Sequence, residues 1–441
     1  MSSNSITSAP EKVFSLFLKY VSANVLGMIG FSCYILADTF FIARGIGANA
    51  LAALNLVLPA YSLLNGTGLM IGMGGAARYS LSSIQPESEL HRAIFTRSVH
   101  LAILAMFFFS GTGLLLASPL CRLLGADTST MSYAVPYIRI LLAFSPLFLM
   151  NNLLNCFVRN DGEPQLSMTA MIVGSLSNIV LDYIFIYPLN MGMTGAALAT
   201  ATAPLIGMSI LSSHFWRKQN QFHWVNTHLT FKSIKDICSL GVSSLITEVS
   251  SGIVILVFNF LILDLSGNTG VAAYGILANI ALVLVAIFTG IGQGIQPIVS
   301  SHSGKSGKMI RQQTRRYALL TALLLALISY LVVALLATPI AGLFNNSDDL
   351  SLTLLAANGM RIYFISLFFT GINMVTATFL SASDKPAQAF IISILRGFLL
   401  IIPAAFLLSR LFGLNGIWMS LPVTEGIVCL LSVFFLKITD Y

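Results

Sequence analysis

The second half of this chain repeats the first. Small and helix-bending residues recur in the same order in both halves, so the fold is built from two copies of one unit. The recurring positions are Ala52-Ala53 and Ala272-Ala273, Gly72 and Gly292, Gly74 and Gly294, Ser80 and Ser300, Pro119 and Pro339, Arg139 and Arg361, Phe157 and Phe379, Pro164 and Pro386, and Gly195 and Gly416. Any fold proposed for the chain has to place these two units in equivalent environments.

The composition indicates that both units lie in a membrane. Of 441 residues, 56% are hydrophobic and only 9% are charged, whereas soluble domains carry about 25% charged residues. Apolar runs of helix length recur along the chain, and runs of about 18 or more residues with few charges are typical of membrane-spanning helices. The first run, residues 13–42, is too long for a cleaved signal peptide. We therefore expect an all-α integral membrane protein.

Twelve membrane-spanning helices fit the apolar runs. The expected spans are 14–43, 49–79, 92–118, 131–157, 164–187, 193–216, 234–263, 270–301, 312–338, 351–381, 387–410 and 415–437. Turn-forming residues separate them, for example Gln85-Pro86-Glu87, Ser303-Gly304-Lys305 and Asn345-Asn346-Ser347-Asp348. This predicts a tail (1–12), an N-lobe (13–217), a loop (218–233) and a C-lobe (234–441).

The number of helices determines how the lobes are related. Six helices per lobe is an even number, so both lobes begin on the same side of the membrane. The two six-helix lobes are then related by a pseudo-twofold axis along the membrane normal. Duplicated bundles of this kind are typical of secondary transporters, whose binding sites lie between or within the repeats.

Most of the 23 Lys and Arg residues fall in the tails and in the loops on the same side as the N-terminus. That group includes Arg78, Arg159 and Lys385, while the other side holds only Arg44, Arg122 and Arg410 in its loops. Positive residues favour the cytoplasmic side. We therefore expect cytoplasmic N- and C-termini in a multi-pass protein of the bacterial cytoplasmic (inner) membrane. The basic residues form no single cluster, which argues against nucleic acid as a partner.

Five charged residues lie inside apolar runs, where a charge costs at least about 2.5–3.5 kcal/mol. Such residues face a water-filled cavity or a partner. They are Asp38, Asp182, Glu248, Arg396 and Glu425. Their positions along the helices place the two aspartates in the outer part of the N-lobe and the other three near the midplane of the C-lobe.

Polar residues accompany the two aspartates at helical spacing. Tyr34 lies one turn before Asp38 and Asn178 one turn before Asp182, so each pair shares a helix face. Asn152 on helix 4 and Thr200 on helix 6 are further polar positions. If these faces converge, burial and mutual repulsion favour the protonated form of at least one carboxyl, and the pair takes up a proton on one side and releases it on the other. The alternative is that Asp38 only caps the outer end of its helix.

The charged set of the C-lobe has an obvious internal pairing. Arg396 keeps its charge at any relevant pH and needs Glu248 or Glu425 as a partner. A buried ion pair that fixes helix packing is one reading. Substrate binding and a gate are the others.

Several short motifs resemble those of the multidrug and toxic compound extrusion (MATE) transporters, over nearly the whole chain. The resemblance rests on Ala37-Asp38-Thr39, on Ala52-Ala53 through Pro59, on Asn178-Ile179-Val180-Leu181-Asp182, on Gly192-Met193-Thr194-Gly195-Ala196-Ala197, on Leu245-Ile246-Thr247-Glu248-Val249-Ser250-Ser251 and on Gly413-Leu414-Asn415-Gly416. The helix-7 glutamate is similar to that of the bacterial branch.

The resemblance implies an antiporter that exports amphipathic, often cationic compounds against an inward flow of protons or sodium ions. It places the ion-coupling acids on Asp38 and Asp182 and the helix-7 acid on Glu248. The polar positions that it implies around the ion site are Tyr34, Tyr137, Asn152, Asn178 and Thr200. Sodium-coupled members carry a helix-10 aspartate, but the stretch from Phe368 to Asn373 has no acid, so proton coupling is the primary expectation.

Other functions find less support. Glycines such as Gly72 and Gly292 lie within apolar helices, where small residues allow close packing, and not in a phosphate-binding loop. The sequence predicts no metal site, no cofactor and no enzymatic activity; the expected partners are small-molecule substrates and membrane lipid, and the expected state is a monomer. A flippase for a lipid-linked intermediate stays open, but it would favour a basic central cavity, for which only Arg396 is a candidate. A membrane-bound lipid enzyme would need His or Asp clusters at a membrane surface.

Overall fold

The computed structural model describes residues 10–83, 89–304, 307–344 and 350–440, and within these ranges it contains helices and turns but no β-strand. The expected all-α fold is therefore confirmed. The first nine residues of the predicted tail and the predicted turns around Pro86, at Lys305 and at Asn345 to Asp348 lie outside the described residues.

The N-lobe contains six helices, labelled α1 to α6. Their bounds are α1 Pro10–Gly45, α2 Ala48–Ser82, α3 Glu89–Leu123, α4 with two segments Met131–Ala143 and Ser145–Asn160, α5 Pro164–Ile186 and α6 Gly192–Leu211. Because α1 begins at Pro10, the last three residues of the predicted tail belong to the helix. The bend in α4 is 50°; it lies just before Pro146, whose ring cannot continue the hydrogen-bond ladder of the preceding segment.

The C-lobe repeats this arrangement with α7 to α12. The continuous helical stretch Phe231–Ser301 consists of two helices, α7 (231–266) and α8 (268–301), which are separated by Gly267. The others are α9 with segments Lys308–Leu335 and Ala337–Phe344, α10 with segments Leu350–Tyr363 and Leu367–Ala382, α11 with segments Pro386–Ile394 and Ile401–Phe412, and α12 Leu414–Asp440. Because α7 begins at Phe231, the predicted loop 218–233 ends three residues early.

The count of crossings depends on Gly267. Among the described residues, ten helices, or eleven with the bent pair of α4, are long and apolar enough to cross a membrane if the 71-residue helix is counted once. That helix would be about 107 Å long if straight. Gly267 instead has φ 60° and ψ −157°, and the rings of Phe258 and Tyr274 lie 5.4 Å apart on either side of it. The chain reverses there, which gives twelve crossings as the sequence predicts.

Each lobe has its own apolar core. One buried cluster of the N-lobe runs from Ile42 to Ala201, while the largest cluster of the C-lobe runs from Phe258 to Leu436. The first turns of α1, including Phe17, pack into the C-lobe core, and Ile237 at the start of α7 packs into the N-lobe. The first helix of each lobe thus packs its first turns into the opposite lobe. Such equivalent packing of α1 and α7 is expected for two parallel repeats.

The lobes meet most closely near the end of the molecule that carries Pro10 and Asp440, called here the terminal end. A methyl group on Gly290 or Gly294 of α8 would lie 2.6 or 2.7 Å from the Cα atoms of Val25 or Val21 in α1. Toward the opposite end, a methyl group on Gly275 would meet nothing within 4 Å. The small residues repeated in the sequence thus allow close approach of the lobes, as expected.

Polar contacts strengthen the closure at the terminal end. Arg78 of α2 lies 3.6 Å from Asp236 and 3.7 Å from Asp384, and both acids belong to the C-lobe. The connector between the lobes, which contains Gln221, packs against the N-lobe. Asp161 at the end of α4 accepts hydrogen bonds from His214 Nε2 and from the Gln221 backbone, each at 2.8 Å. Burial raises the pKa of Asp161 above its ordinary value, although the His214 hydrogen bond opposes this shift.

Candidate functional site

The register of α1 against α5 brings the two predicted acids to the same level. Both helices run away from the terminal end, and residues in contact advance together along them. A Cβ on Gly30 would meet Ile172, and a Cβ on Gly45 would meet Ile186. Asp38 lies midway between these contacts, so it faces the stretch of α5 that contains Asn178 and Asp182.

A pocket forms around these acids, here called the acid pocket, and it consists of Asp38, Tyr137, Asn178, Asp182 and Thr200. All five side chains are buried, and Asn178 and Asp182 are 0% exposed. The charge of Asp38 acts on Asp182, and both carboxylates act on the phenol of Tyr137, which also interacts with Thr200. Asp38 is only 6% exposed and therefore does not cap its helix in bulk solvent.

The two acids and the amide of the acid pocket have hydrogen-bonding atoms without a partner among the described residues. Both carboxyl oxygens of Asp182, Oδ1 of Asp38, and both amide atoms of Asn178 have no hydrogen-bond partner. An ionised carboxylate without partners in a dry interior is strongly unfavourable, and two such groups close together are more so. The pocket therefore favours protonation of at least one acid or the binding of a cation.

A second polar space, here called the central cavity, lies mainly within the N-lobe; of the described residues that line it, Glu248 and Gln293 belong to the C-lobe. It reaches Tyr34 of α1, Asn152 of α4 and Thr200 of α6, all of them predicted polar positions, and Glu248 of α7. Of the residues in the acid pocket, only Thr200 also lines this cavity. The hydroxyl of Tyr34 is 2.8 Å from that of Tyr61 on α2. The two spaces adjoin at Thr200 but are not one chamber in this conformation.

Glu248 connects the C-lobe to the N-lobe across the central cavity. Its Oε2 accepts a hydrogen bond from Asn65 Nδ2 at 3.2 Å, and Asn65 Oδ1 accepts one from Asn152 Nδ2 at 2.9 Å. The three side chains form a polar chain from α7 through α2 to α4. Glu248 therefore faces the N-lobe and does not join the other charges of the C-lobe.

Arg396 pairs with Glu425, which decides between the two partners predicted for it. Its Nη2 and Nε lie 2.7 and 3.1 Å from Glu425 Oε1, while Oε2 of the same carboxylate accepts a hydrogen bond from Asn373 Nδ2 at 2.6 Å. Ser432 donates to Asn373 Oδ1 at 2.8 Å. Of the predicted set, Arg396 and Glu425 form one ion pair with its own hydrogen bonds, and Glu248 is a separate glutamate.

Arg159 is the residue that the sequence interpretation placed wrongly. Counted there among the basic residues of the loops, it is only 1% exposed and it lines the central cavity. It lies one residue before the end of α4, and hydropathy alone cannot show that its side chain turns inward. Tyr61, Asn65 and Gln293 were missed as well, although polar residues in apolar runs are a usable signal for the two amides.

Comparison with known proteins gives a consistent answer. The MatE family signature matches residues 24–184 and 243–407, which is most of the chain and covers both lobes. "Multidrug export protein MepA" of Staphylococcus saprophyticus is 24% identical over 425 residues, spanning 96% of this chain and 93% of the relative. The protein of the same name from Staphylococcus haemolyticus is 25% identical with the same coverage.

Solved structures show the same fold. An outward-facing multidrug resistance MATE family transporter of the MOP superfamily superimposes with a TM-score of 0.88 at 21% identity, covering 98% of this chain and 96% of that one. A MATE structure in the straight conformation gives 0.87, also at 21% identity. These matches agree with the twelve-helix, two-lobe architecture.

Proposed function

Because the chain belongs to the MatE family, whose members are transporters and not enzymes, we propose that it is a proton-coupled antiporter that exports amphipathic, often cationic compounds. The relatives named as multidrug export proteins support the substrate class. The acid pocket supports the choice of a proton as the coupling ion. Alternating access of the two lobes around the central cavity connects the two.

The observation that carries the proposal is the state of Asp182. Its side chain is 0% exposed and neither carboxyl oxygen has a hydrogen-bond partner, while Asp38 lies within electrostatic range. A group in this environment is stable when protonated and unstable when ionised. It therefore holds a proton in one conformation and gives it up when a conformational change or a bound cation alters its surroundings.

Coupling follows because the proton and the substrate favour different states of the N-lobe. Protonation of Asp38 and Asp182 removes negative charge from the pocket and weakens the attraction for a cationic substrate in the adjoining cavity. Binding of the substrate, conversely, favours release of the proton. The two ligands need not touch, because each has only to favour a different state of the protein, and the effect is reciprocal.

The orientation completes the cycle. With the terminal end in the cytoplasm, as the distribution of basic residues favours, the close contacts of α1 with α8 and the Arg78 ion pairs seal the cytoplasmic side. In this conformation substrate leaves, and protons reach the acid pocket, from the outside. The reverse conformation requires the terminal end to separate, which breaks the Arg78 contacts with Asp236 and Asp384.

Sodium coupling is the second candidate, and the acid pocket also provides the observation that favours it. Four oxygens without hydrogen-bond partners, on Asp38, Asn178 and Asp182, could surround a sodium ion as carboxylate and amide ligands. The proton remains our preferred ion because the helix-10 stretch from Phe368 to Asn373, where sodium-coupled members carry an aspartate, contains no acid.

Reconstitution into proteoliposomes tests the proposal. Export of the fluorescent cation rhodamine 123 is measured with a proton gradient alone and then with a sodium gradient at clamped pH. We expect transport with the first and none above background with the second. Transport driven only by sodium would replace the proton in the proposal, and transport by neither gradient would contradict secondary export of this substrate class.

A further inference from the structure

Resting on the proposed export function, we propose that Arg159 is an anion subsite of the central cavity, which makes the cavity bipolar and suited to zwitterionic amphiphiles that carry a carboxylate.

The Arg159 guanidinium is buried without a counter-anion. Among the residues that the structure describes, no carboxylate lies within ion-pairing distance of it. Its two oxygen acceptors are neutral amides, Asn24 Oδ1 at 3.0 Å and Gln293 Oε1 at 2.9 Å, and both bind to Nη1. A buried charge without a partner of opposite sign is costly, so the site is short of negative charge.

The remaining donors of Arg159 are poorly satisfied. Nη2 points at two sulfur atoms, Met73 Sδ at 2.9 Å and Cys156 Sγ at 3.5 Å, and sulfur is a weak acceptor. Nε has no partner at all. Guanidinium prefers a planar oxyanion that takes two parallel hydrogen bonds. The thioether of Met73 is flexible, so a carboxylate can displace it and take over Nη2 and Nε.

The side chain of Arg159 faces the central cavity. Arg159 follows Asn152 by two helical turns of α4, on the same face and about 10 Å further toward the terminal end. Both line the central cavity, and Asn152 belongs to the polar chain that reaches Glu248. The cavity thus has a negative pole at Glu248 and a positive pole at Arg159, separated along its axis.

A bipolar cavity selects for ligands that carry both charges. A simple cation satisfies Glu248 but leaves Arg159 with sulfur and amide contacts, whereas a zwitterion can satisfy both poles. A phosphate-bearing lipid intermediate fits less well, since Glu248 opposes the net positive charge that such a cavity requires. Arg396 does not supply that charge, because it is absent from the residues that line the cavity and is paired with Glu425.

Two rhodamines that differ by one ester test the proposal. Rhodamine 110 carries a free carboxylate, and rhodamine 123 is its methyl ester and a cation. Initial rates of export for both dyes are measured in proteoliposomes, and binding of both to the detergent-solubilised protein is measured by fluorescence anisotropy. For Arg159→Gln we expect the ratio of rhodamine 110 to rhodamine 123, in rate and in affinity, to fall about tenfold, the loss of one charge-assisted contact. Arg159→Lys, which keeps the charge, should restore part of the ratio.

A control variant separates anion binding from bridging of the lobes. Arg78→Gln removes ion pairs between the lobes at residues that do not line the cavity. It should leave the ratio of the two dyes within about twofold of wild type. The anisotropy arm reports on Arg159→Gln even if that variant no longer transports.

The outcomes are distinct. An unchanged ratio in Arg159→Gln, or an equal fall in the ratio in Arg78→Gln, overturns the anion subsite. A wild-type protein that exports and binds rhodamine 123 but not rhodamine 110 also overturns it, while the proposed export function stands. A wild-type protein that exports neither dye under any gradient is instead a failure of the export function, and the anisotropy ratio then decides on the subsite alone.

Discussion

The two lobes place buried carboxyl groups in opposite circumstances. In the C-lobe, Glu425 receives two contacts from Arg396 and one from Asn373, so its charge is fully compensated. In the N-lobe, Asp182 is equally buried but neither of its oxygens has a partner. The C-lobe copy of the repeat thus holds an acid whose hydrogen-bonding groups are satisfied, and the N-lobe copy holds one whose groups are unsatisfied. The satisfied acid can hold helices together, whereas the unsatisfied one is free to bind an ion.

Equivalent positions of the repeat show the same contrast. Asn151 and Asn373 correspond to each other, since they lie between the matched pairs Arg139 and Arg361, and Phe157 and Phe379. Asn373 donates to Glu425 and accepts from Ser432, whereas Asn151 faces the central cavity and its Oδ1 has no partner. At this pair of positions the N-lobe amide leaves its oxygen available, whereas the C-lobe amide is used internally.

Neutralising the unsatisfied acid should have the largest effect. In Asp182→Asn we expect proton-driven export to fall by about 100-fold, the upper range of coupling between two sites, while the thermal stability stays at or above that of wild type because the amide removes a buried ionisable group. Export in proteoliposomes and thermal unfolding in detergent measure the two quantities.

Asp127→Asn is the matched control for that variant. Asp127 lies in the same lobe between α3 and α4, where hydrogen bonds from Ser129 and Thr130 lower its pKa to about 2, so it stays ionised over the whole range in which transport is assayed. Its replacement should leave export unchanged. Equal losses in both variants would mean that lowering the negative charge of the lobe, and not the acid pocket, accounts for the effect.

Breaking the satisfied pair should affect stability and not coupling. Glu425→Gln leaves Arg396 buried without a counter-charge, and removal of one partner from such a pair costs about 3–5 kcal/mol. We expect a clear fall in the unfolding temperature and a lower yield of folded protein. The pH dependence of export per folded molecule should match wild type; a shifted pH dependence would give the C-lobe pair a part in ion coupling.

Removing the pair as a whole should reverse most of that loss. In the double variant Arg396→Met and Glu425→Leu no charge remains at this site, and exchanges of this kind are often neutral or stabilising. We expect its stability to return to within about 1 kcal/mol of wild type, the two substitutions being strongly non-additive. Simple addition of the two single losses would show that the ion pair is not the unit that matters.

The smallest effect is expected at the edge of the central cavity. Tyr34→Phe removes one hydroxyl and its contact with Tyr61, a hydrogen bond worth about 1 kcal/mol, and should weaken binding of rhodamine 123 by no more than about fivefold. Tyr183→Phe, at an exposed tyrosine of α5, is the control and should bind as wild type. A total loss of coupling in Tyr34→Phe would extend the acid pocket to include Tyr34.

The fold could be predicted from the sequence because length and hydropathy fix the crossings of a membrane protein. Apolar runs set twelve spans, and the repeat set two lobes. The details that differ come from local backbone geometry. Gly267 reverses the chain between α7 and α8 without an intervening loop, and α4 bends just before Pro146. Helix ends shifted by a few residues because capping and fraying do not follow hydropathy.

The site was predictable only where chemistry alone marks a residue. Asp38 and Asp182 stand out because carboxylates are rare inside a lipid bilayer. Tyr34 and Asn178, each four residues before one of them, show which face of each helix is polar. Which acid pairs with Arg396 depends on packing between α11 and α12, which one sequence does not contain. Arg159 was misplaced for the same reason, since a basic residue at a helix end can turn outward to water or inward to a cavity.

Substrate-induced proton release tests the central claim most directly. A saturating amount of tetraphenylphosphonium, a permanent cation, is added to the purified protein in weakly buffered detergent solution, and the pH is followed with an indicator dye. The account predicts release of protons from the wild-type protein and from Asp127→Asn, and none from Asp38→Asn combined with Asp182→Asn. Equal release from that double variant, at equal substrate binding, would contradict it.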